Sequence, residues 1–160
     1  MEDPRKKILC IEDDRETAAL IVEELAEWGF EPIFAHSGEE GFVAIIRHRP
    51  DLVLCDINMP HMSGFEVLER LNEIAPQFGH IPFVFLTAMA DRENELRGRR
   101  LGADDYVIKP IDFDVLHTIV NARLARVARN EIWPKLTVLN DREIETLTWV
   151  ARGKTSAEIA

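Results

Sequence analysis

Side chains able to carry charge-transfer chemistry stand directly after four apolar runs. Glu12, Asp13 and Asp14 follow KILCI, Asp56 follows DLVLC, Thr87 follows IPFVFL, and Lys109 with Pro110 follows DYVI. If these runs lie side by side, the groups meet in one crevice. Several carboxylates held together raise one another's proton affinity unless a cation sits among them. A set of carboxylates, a carbonyl and water suits Mg²⁺, which takes six oxygens at about 2.0–2.1 Å and keeps several waters. A carboxylate beside such a cation, with a hydroxyl and a lysine, points to phosphoryl chemistry on an aspartate nucleophile: the cation and Lys109 offset phosphoryl charge and Thr87 donates to an oxygen. Taken singly, each residue has an ordinary use, because acids favour helix N-termini, aspartate forms turns, threonine fits strands and lysine solvates a surface. The chemical reading rests on their joint placement.

The elements that must position them alternate. The runs 7–11, 31–35, 51–55, 81–86 and 105–108 have strand character, and three of them are apolar enough to be covered on both faces. Helical patterns occupy 15–28, 38–48, 64–75, 91–101 and 112–130. Ser37 with Glu40 forms a capping box, Gly29 and Gly102 stand where helices stop, and Asp112 caps the last helix. Five strands alternating with five helices predict an α/β protein with a parallel, doubly wound sheet and right-handed crossovers. In such a sheet the functional crevice lies beyond the carboxyl ends of the strands, where the candidate residues stand.

Bulk properties fit a globular domain with a small appendage: 160 residues, 46% hydrophobic and 30% charged, with a formal net charge of −10. Residues 1–130 hold 15 Lys/Arg against 24 Asp/Glu and residues 131–160 hold 4 against 5, so neither part has the basic balance of a stand-alone nucleic-acid binder. MEDPRKKILCIEDD lacks a signal-peptide core and no run is apolar enough to span a membrane, so a cytoplasmic protein without membrane partners is expected. Cys10 and Cys55, inside strand-like runs, read as buried thiols in a reducing compartment. No two of the five histidines share a helical or strand spacing that would make a metal cluster. His61, in the loop after Asp56, is either a partner contact or a plain loop residue.

Through CIEDD, DLVLCDINMPHMSG, FVFLTA and GADDYVIKP, residues 6–130 resemble a response-regulator receiver domain. The resemblance implies the sheet order 2-1-3-4-5. It also implies that Asp56 accepts a phosphoryl group from a histidine of a sensor kinase. Asp13 and Asp56 would ligate Mg²⁺ directly with the backbone carbonyl of Asn58, Glu12 would act through a water, and Lys109, joined to Pro110 by a cis bond, would bind the phosphoryl group. Thr87 and Tyr106 would form the switch. On phosphorylation Thr87 would be drawn to the new oxyanion and Tyr106 would turn inward, changing the surface of the fourth helix, fifth strand and fifth helix. A half-buried tyrosine with no switching role is the other reading of Tyr106.

Haloacid dehalogenase-type phosphatases also form an aspartyl phosphate at a strand end. Here their Asp-x-Asp motif reads Asp56-Ile57-Asn58, and an amide cannot shuttle the proton that turnover needs. The chain is therefore read as a phosphoacceptor and not as an enzyme. Asn58 and Met89, two residues beyond Asp56 and Thr87, would tune the phosphate's lifetime, and neither is a base. Arg92, Arg97, Arg99 and Arg100, with Asp104, Asp105, Arg123 and Arg126, form either reciprocal pairs across a homodimer or a solvated surface.

The apolar stripe Leu116, Ile119, Val120, Leu124 and Val127 breaks at NEIWPK, so 131–135 reads as a linker after a receiver domain at 1–130. Residues 136–160 carry an Asn140–Glu143 cap pair, the stripe Ile144, Leu147, Val150 and Ala151, and a stop at Gly153. They resemble the start of a LuxR/FixJ-type helix-turn-helix, a short all-α fragment that stops before its recognition helix; a plain helical hairpin is the alternative. DNA would be a partner only through a domain completed beyond residue 160, in a regulator of transcription. The rival is a stand-alone receiver that signals by protein contact.

Overall fold

A computed structural model of the protein describes residues 5–78, 80–88 and 92–137. The elements run β1 (Lys7–Ile11), α1 (Arg15–Glu27), β2 (Glu31–Ala35), α2 (Gly38–His48), β3 (Leu52–Asp56), α3 (Gly64–Ile74), a 3-10 turn (Pro76–Phe78), β4 (Phe83–Thr87), α4 (Arg92–Leu101), β5 (Asp105–Ile108) and α5 (Phe113–Thr137). The five strands form one parallel sheet in the order β2-β1-β3-β4-β5. This is the doubly wound architecture expected from the sequence.

Strand periodicity distributes the core over two faces. Leu9 and Ile11 of β1, Val53 and Cys55 of β3, and Phe83 and Phe85 of β4 pack with Ile45 of α2 and Phe65, Leu68 and Leu71 of α3. The alternate residues Ile8, Cys10, Leu52, Leu54, Val84 and Leu86 meet Ile21 and Leu25 of α1 and Leu116 and Val120 of α5. The central strands are buried on both sides, which is why they read as continuous apolar runs and not as alternating ones. Both cysteines are fully buried and unpaired, and burial pushes both thiols above their ordinary range, so neither is a nucleophile in the folded chain.

Local signals start and stop the helices. Asp14 caps α1 by accepting from the Thr17 backbone N–H and from the Thr17 hydroxyl. Ser37 caps α2 through the Glu40 N–H at 3.1 Å, while the Glu40 carboxylate takes the N–H of His36, one residue earlier than in a regular capping box. Gly29 and Gly102 adopt φ values of 95° and 101° at the ends of α1 and α4. The last helix differs from the sequence reading. It runs to Thr137, through the expected linker at 131–135 and past Pro134. A proline removes one donor and crowds an earlier carbonyl, which bends a helix without necessarily ending it. The chain divides after Leu124, within α5. The expected helix-turn-helix at 136–160 lies outside the described residues beyond Thr137.

One glycine fixes the seam between β3 and α3. A Cβ at Gly64 would collide with the backbone oxygen of Asp56 and lie 3.0 Å from Ile57 Cα, and the Gly64 N–H donates to the Ile57 carbonyl at 2.9 Å. The obstacles are backbone atoms, so they cannot swing aside as a flexible side chain would. Gly64→Ala is expected to lower stability by about 1–3 kcal/mol in urea unfolding, the usual cost of overpacking. An unchanged midpoint would show that α3 can shift freely against the end of β3.

Candidate phosphoryl-transfer site

Parallel register sets the acidic residues at one edge. β1 ends at Ile11, so Glu12 and Asp13 emerge beside Asp56, the last residue of β3; Thr87 ends β4, and Lys109 follows β5. Three backbone bonds lock these ends: Glu12 N–H to Ala35 O at 3.0 Å, Ile57 N–H to Leu86 O at 3.1 Å, and Lys109 N–H to Thr87 O at 2.8 Å. The Lys109–Pro110 peptide is cis.

The side chains converge accordingly. Glu12 is fully buried, Asp56 is 5% exposed and Thr87 3%, whereas Asp13 opens to solvent. Lys109 Nζ lies 2.6 Å from Glu12 Oε1 and 3.4 Å from Asp56 Oδ2. Carboxylate oxygens of Glu12, Asp13 and Asp56 all fall within 4.8 Å of one another. Asp14, the third acid of the run, is spent as a helix cap, with the Thr17 hydroxyl holding its carboxyl below the ordinary range.

The electrostatics follow from this crowding. Burial, and then the neighbouring Glu12 carboxylate, raise Asp56 from an ordinary 3.8 to about 7, with Lys109 acting in the opposite sense. Burial alone would lower the Lys109 ammonium; Glu12 and Asp56 more than reverse that and leave it above its ordinary value. Three carboxylates against one ammonium leave excess negative charge, and all the donors are hard oxygens. The set fits Mg²⁺, which when bound would offset negative charge on phosphoryl oxygens.

Asn58 has an exposed side chain in the loop after Ile57, and Met89 lies outside the described residues. Tyr106, in register with Phe85, faces α4: its hydroxyl donates to the Glu95 carbonyl at 2.9 Å and more weakly to the Asn94 carbonyl at 3.4 Å. Part of the charged face considered for a dimer is satisfied within the chain, since Arg99 pairs with Glu95 at 3.1 Å and Arg123 with Asp105 at 3.0 Å. The sequence reading overlooked the Ser63–Glu66 capping box, although its S-x-x-E signature is plain, and with it the contact between Gly64 and the Asp56 backbone. It also passed over Gly98.

A doubly wound sheet thus carries a lysine-bridged acidic pocket at its carboxyl edge. Comparison with known proteins gives the family: the response regulator receiver domain matches residues 8–121, and the chain belongs to that family. Receiver domains accept phosphoryl groups, bind Mg²⁺ at an acidic pocket, interact with histidine kinases and are not generally classed as enzymes. The chain is 35% identical over 125 residues to the transcriptional regulatory protein RprY of Bacteroides fragilis, covering 78% of this chain and 52% of RprY. It is 33% identical over 142 residues to the phosphate regulon transcriptional regulatory protein PhoB of Rhizobium meliloti, covering 89% and 62%. It thus spans about half the length of the curated relatives it matches. A CheY-like response regulator receiver domain protein from Methanospirillum hungatei superposes with a TM-score of 0.74 at 28% identity, covering 79% of this chain and 99% of that one. Among the described residues, no helix is long and apolar enough to cross a membrane.

The raised Asp56 has a measurable consequence. Between about pH 4 and 7 the folded chain holds a proton that the unfolded chain releases, so Asp56 costs stability as pH rises through that window. With divalent ions chelated, Asp56→Asn is expected to stabilise the chain at about pH 8 by roughly 1–2 kcal/mol more than at about pH 5, a figure discounted for screening near the pocket mouth. Chemical denaturation at the two pH values checks this, and a pH-independent difference contradicts it.

Proposed function

We propose that Asp56 is the phosphoacceptor of a two-component response regulator. A carboxylate oxygen of Asp56 attacks phosphorus, the P–N bond of a sensor kinase phosphohistidine breaks, and the imidazole leaves with the electron pair. The observation that carries this reading is the convergence of Asp56 with Glu12, Asp13 and Lys109 at the carboxyl edge of the sheet.

In this reading Asp13, Asp56 and the Asn58 backbone carbonyl would hold Mg²⁺, and Glu12 would act through a water. Lys109 favours the ionised form of Asp56 and afterwards pairs with a phosphoryl oxygen, and the Thr87 hydroxyl donates to another. Thr87 and Tyr106 then pass the change to the surface of α4, β5 and α5. Asn58 and Met89 supply no base to activate water, so the phosphorylated form persists and the protein acts as a switch.

The output proposed is control of transcription by a cytoplasmic homodimer. It is supported by the transcriptional regulators among the relatives and by the helix-turn-helix resemblance of residues 136–160. DNA contact would then require a domain completed beyond residue 160. Output by protein contact through the receiver alone is a second reading. It is favoured by the Methanospirillum protein, nearly the whole of which is matched by the receiver region of this chain.

Incubation with acetyl phosphate and Mg²⁺ is expected to load one phosphate per chain without sustained release. Asp56→Asn or chelation with EDTA should abolish the loading. Loss of the phosphate within about a second, the range of enzyme turnover, would contradict the switch reading.

A further inference from the structure

The Glu95–Arg99 stretch of α4 lies against the Tyr106 ring. The Glu95 carbonyl accepts the Tyr106 hydroxyl at 2.9 Å. The Arg99 guanidinium lies 5.7 Å from the ring centroid, held there by its ion pair with the Glu95 carboxylate at 3.1 Å. Between them stands Gly98. A Cβ built there would coincide with the tyrosine hydroxyl, lie 2.8 Å from Cζ of the same ring, and come within 3.2 Å of Phe85 Cε2. Behind the ring, Phe85 sits 5.7 Å away and is itself fixed edge-on by Phe65 and Phe83. The ring therefore lies where a side chain at position 98 would be, and Phe85 closes the space behind it.

Glycine inside a helix is otherwise a liability, disfavoured by about 1 kcal/mol relative to alanine, and here its φ is not left-handed. The missing side chain is what the position requires. We propose that the Glu95–Arg99 turn is a seat that holds Tyr106 in its resting position, and that Gly98 is the positioning residue that sets how firmly it is held. The inference rests on the reading of Asp56 as phosphoacceptor and Tyr106 as the group that moves. A side chain at position 98 expels the ring from the seat, removing the Glu95 hydrogen bond and the Arg99 contact together. If leaving the seat accompanies phosphorylation, emptying it by mutation must tighten binding at Asp56 by the same coupling.

Tyr106 is the only tyrosine in the chain, so incorporated 3-fluorotyrosine gives a ¹⁹F resonance that reports this ring alone. The probe of the phosphoryl site is beryllofluoride with Mg²⁺, measured on the full chain. Gly98→Ala without beryllofluoride is expected to move the resonance toward the position the parent reaches at saturation, and to tighten beryllofluoride binding about fivefold or more. Arg99→Gln adds no volume and stays foldable on an exposed face; it should shift both readouts in the same direction by less. In a Tyr106→Ala background, Gly98→Ala should leave the affinity unchanged.

A resonance unmoved in both variants overturns the seat. A resonance that moves with no change in affinity, or an affinity change that survives without Tyr106, overturns the control assigned to Gly98. Should the parent bind no beryllofluoride, the phosphoacceptor reading fails, while the resonances of the two variants still decide whether the seat exists.

Discussion

Crowding of negative charge around Asp56 is the constraint on which the rest of the structure depends. Glu12 and Asp56 are almost wholly removed from water, Asp13 stands beside them, and Lys109 touches the two buried acids. Burial, and then the Glu12 carboxylate, favour the protonated form of Asp56 and raise it to about 7 against the pull of Lys109. A divalent cation held by these oxygens would offset the excess negative charge and supply the positive charge that a phosphoryl group needs.

The sheet is what makes the crowding affordable. Parallel pairing brings the ends of β1, β3, β4 and β5 to one edge in fixed register, and the two apolar layers behind them leave no room for the ends to separate. Backbone bonds across Ala35, Leu86 and Thr87 then orient the residues that leave the strands. Gly64 lets α3 close against the Asp56 backbone, and Tyr106 links the same edge to α4. Tyr106 stands on β5 and reaches α4 through its hydroxyl, so the edge that fixes the acids also carries a contact to a neighbouring helix.

Much of this was legible in the sequence. Central strands of a doubly wound sheet are apolar throughout, which marks KILCI, DLVLC and IPFVFL as strands, and the polar residues after them fall at one edge once the strand order that the family resemblance implies is adopted. Strand ends were less well marked. β3 and β4 each extend one residue further than read, to take in Asp56 and Thr87, because ladder pairing continues into a polar residue when a neighbouring strand supplies its partner. Pro134 reads as a helix end, yet α5 continues through it, because a helix can bend at a proline. Gly98 carried no local signal: its reason is a ring from β5, and contact between an element and a strand that follows it is invisible to periodicity. Ser63 and Glu66 did carry one, three residues apart, and simply went unused.

Asp56 is the residue proposed to form the acyl phosphate. After reaction with acetyl phosphate and Mg²⁺, borohydride reduces an aspartyl phosphate to homoserine, and peptide mass spectrometry locates the converted residue. Conversion at position 56, with Asp13 and Glu12 unmodified, is the predicted result. Conversion at Asp13 or Glu12, or a phosphate recovered on a side chain outside the pocket, would contradict it.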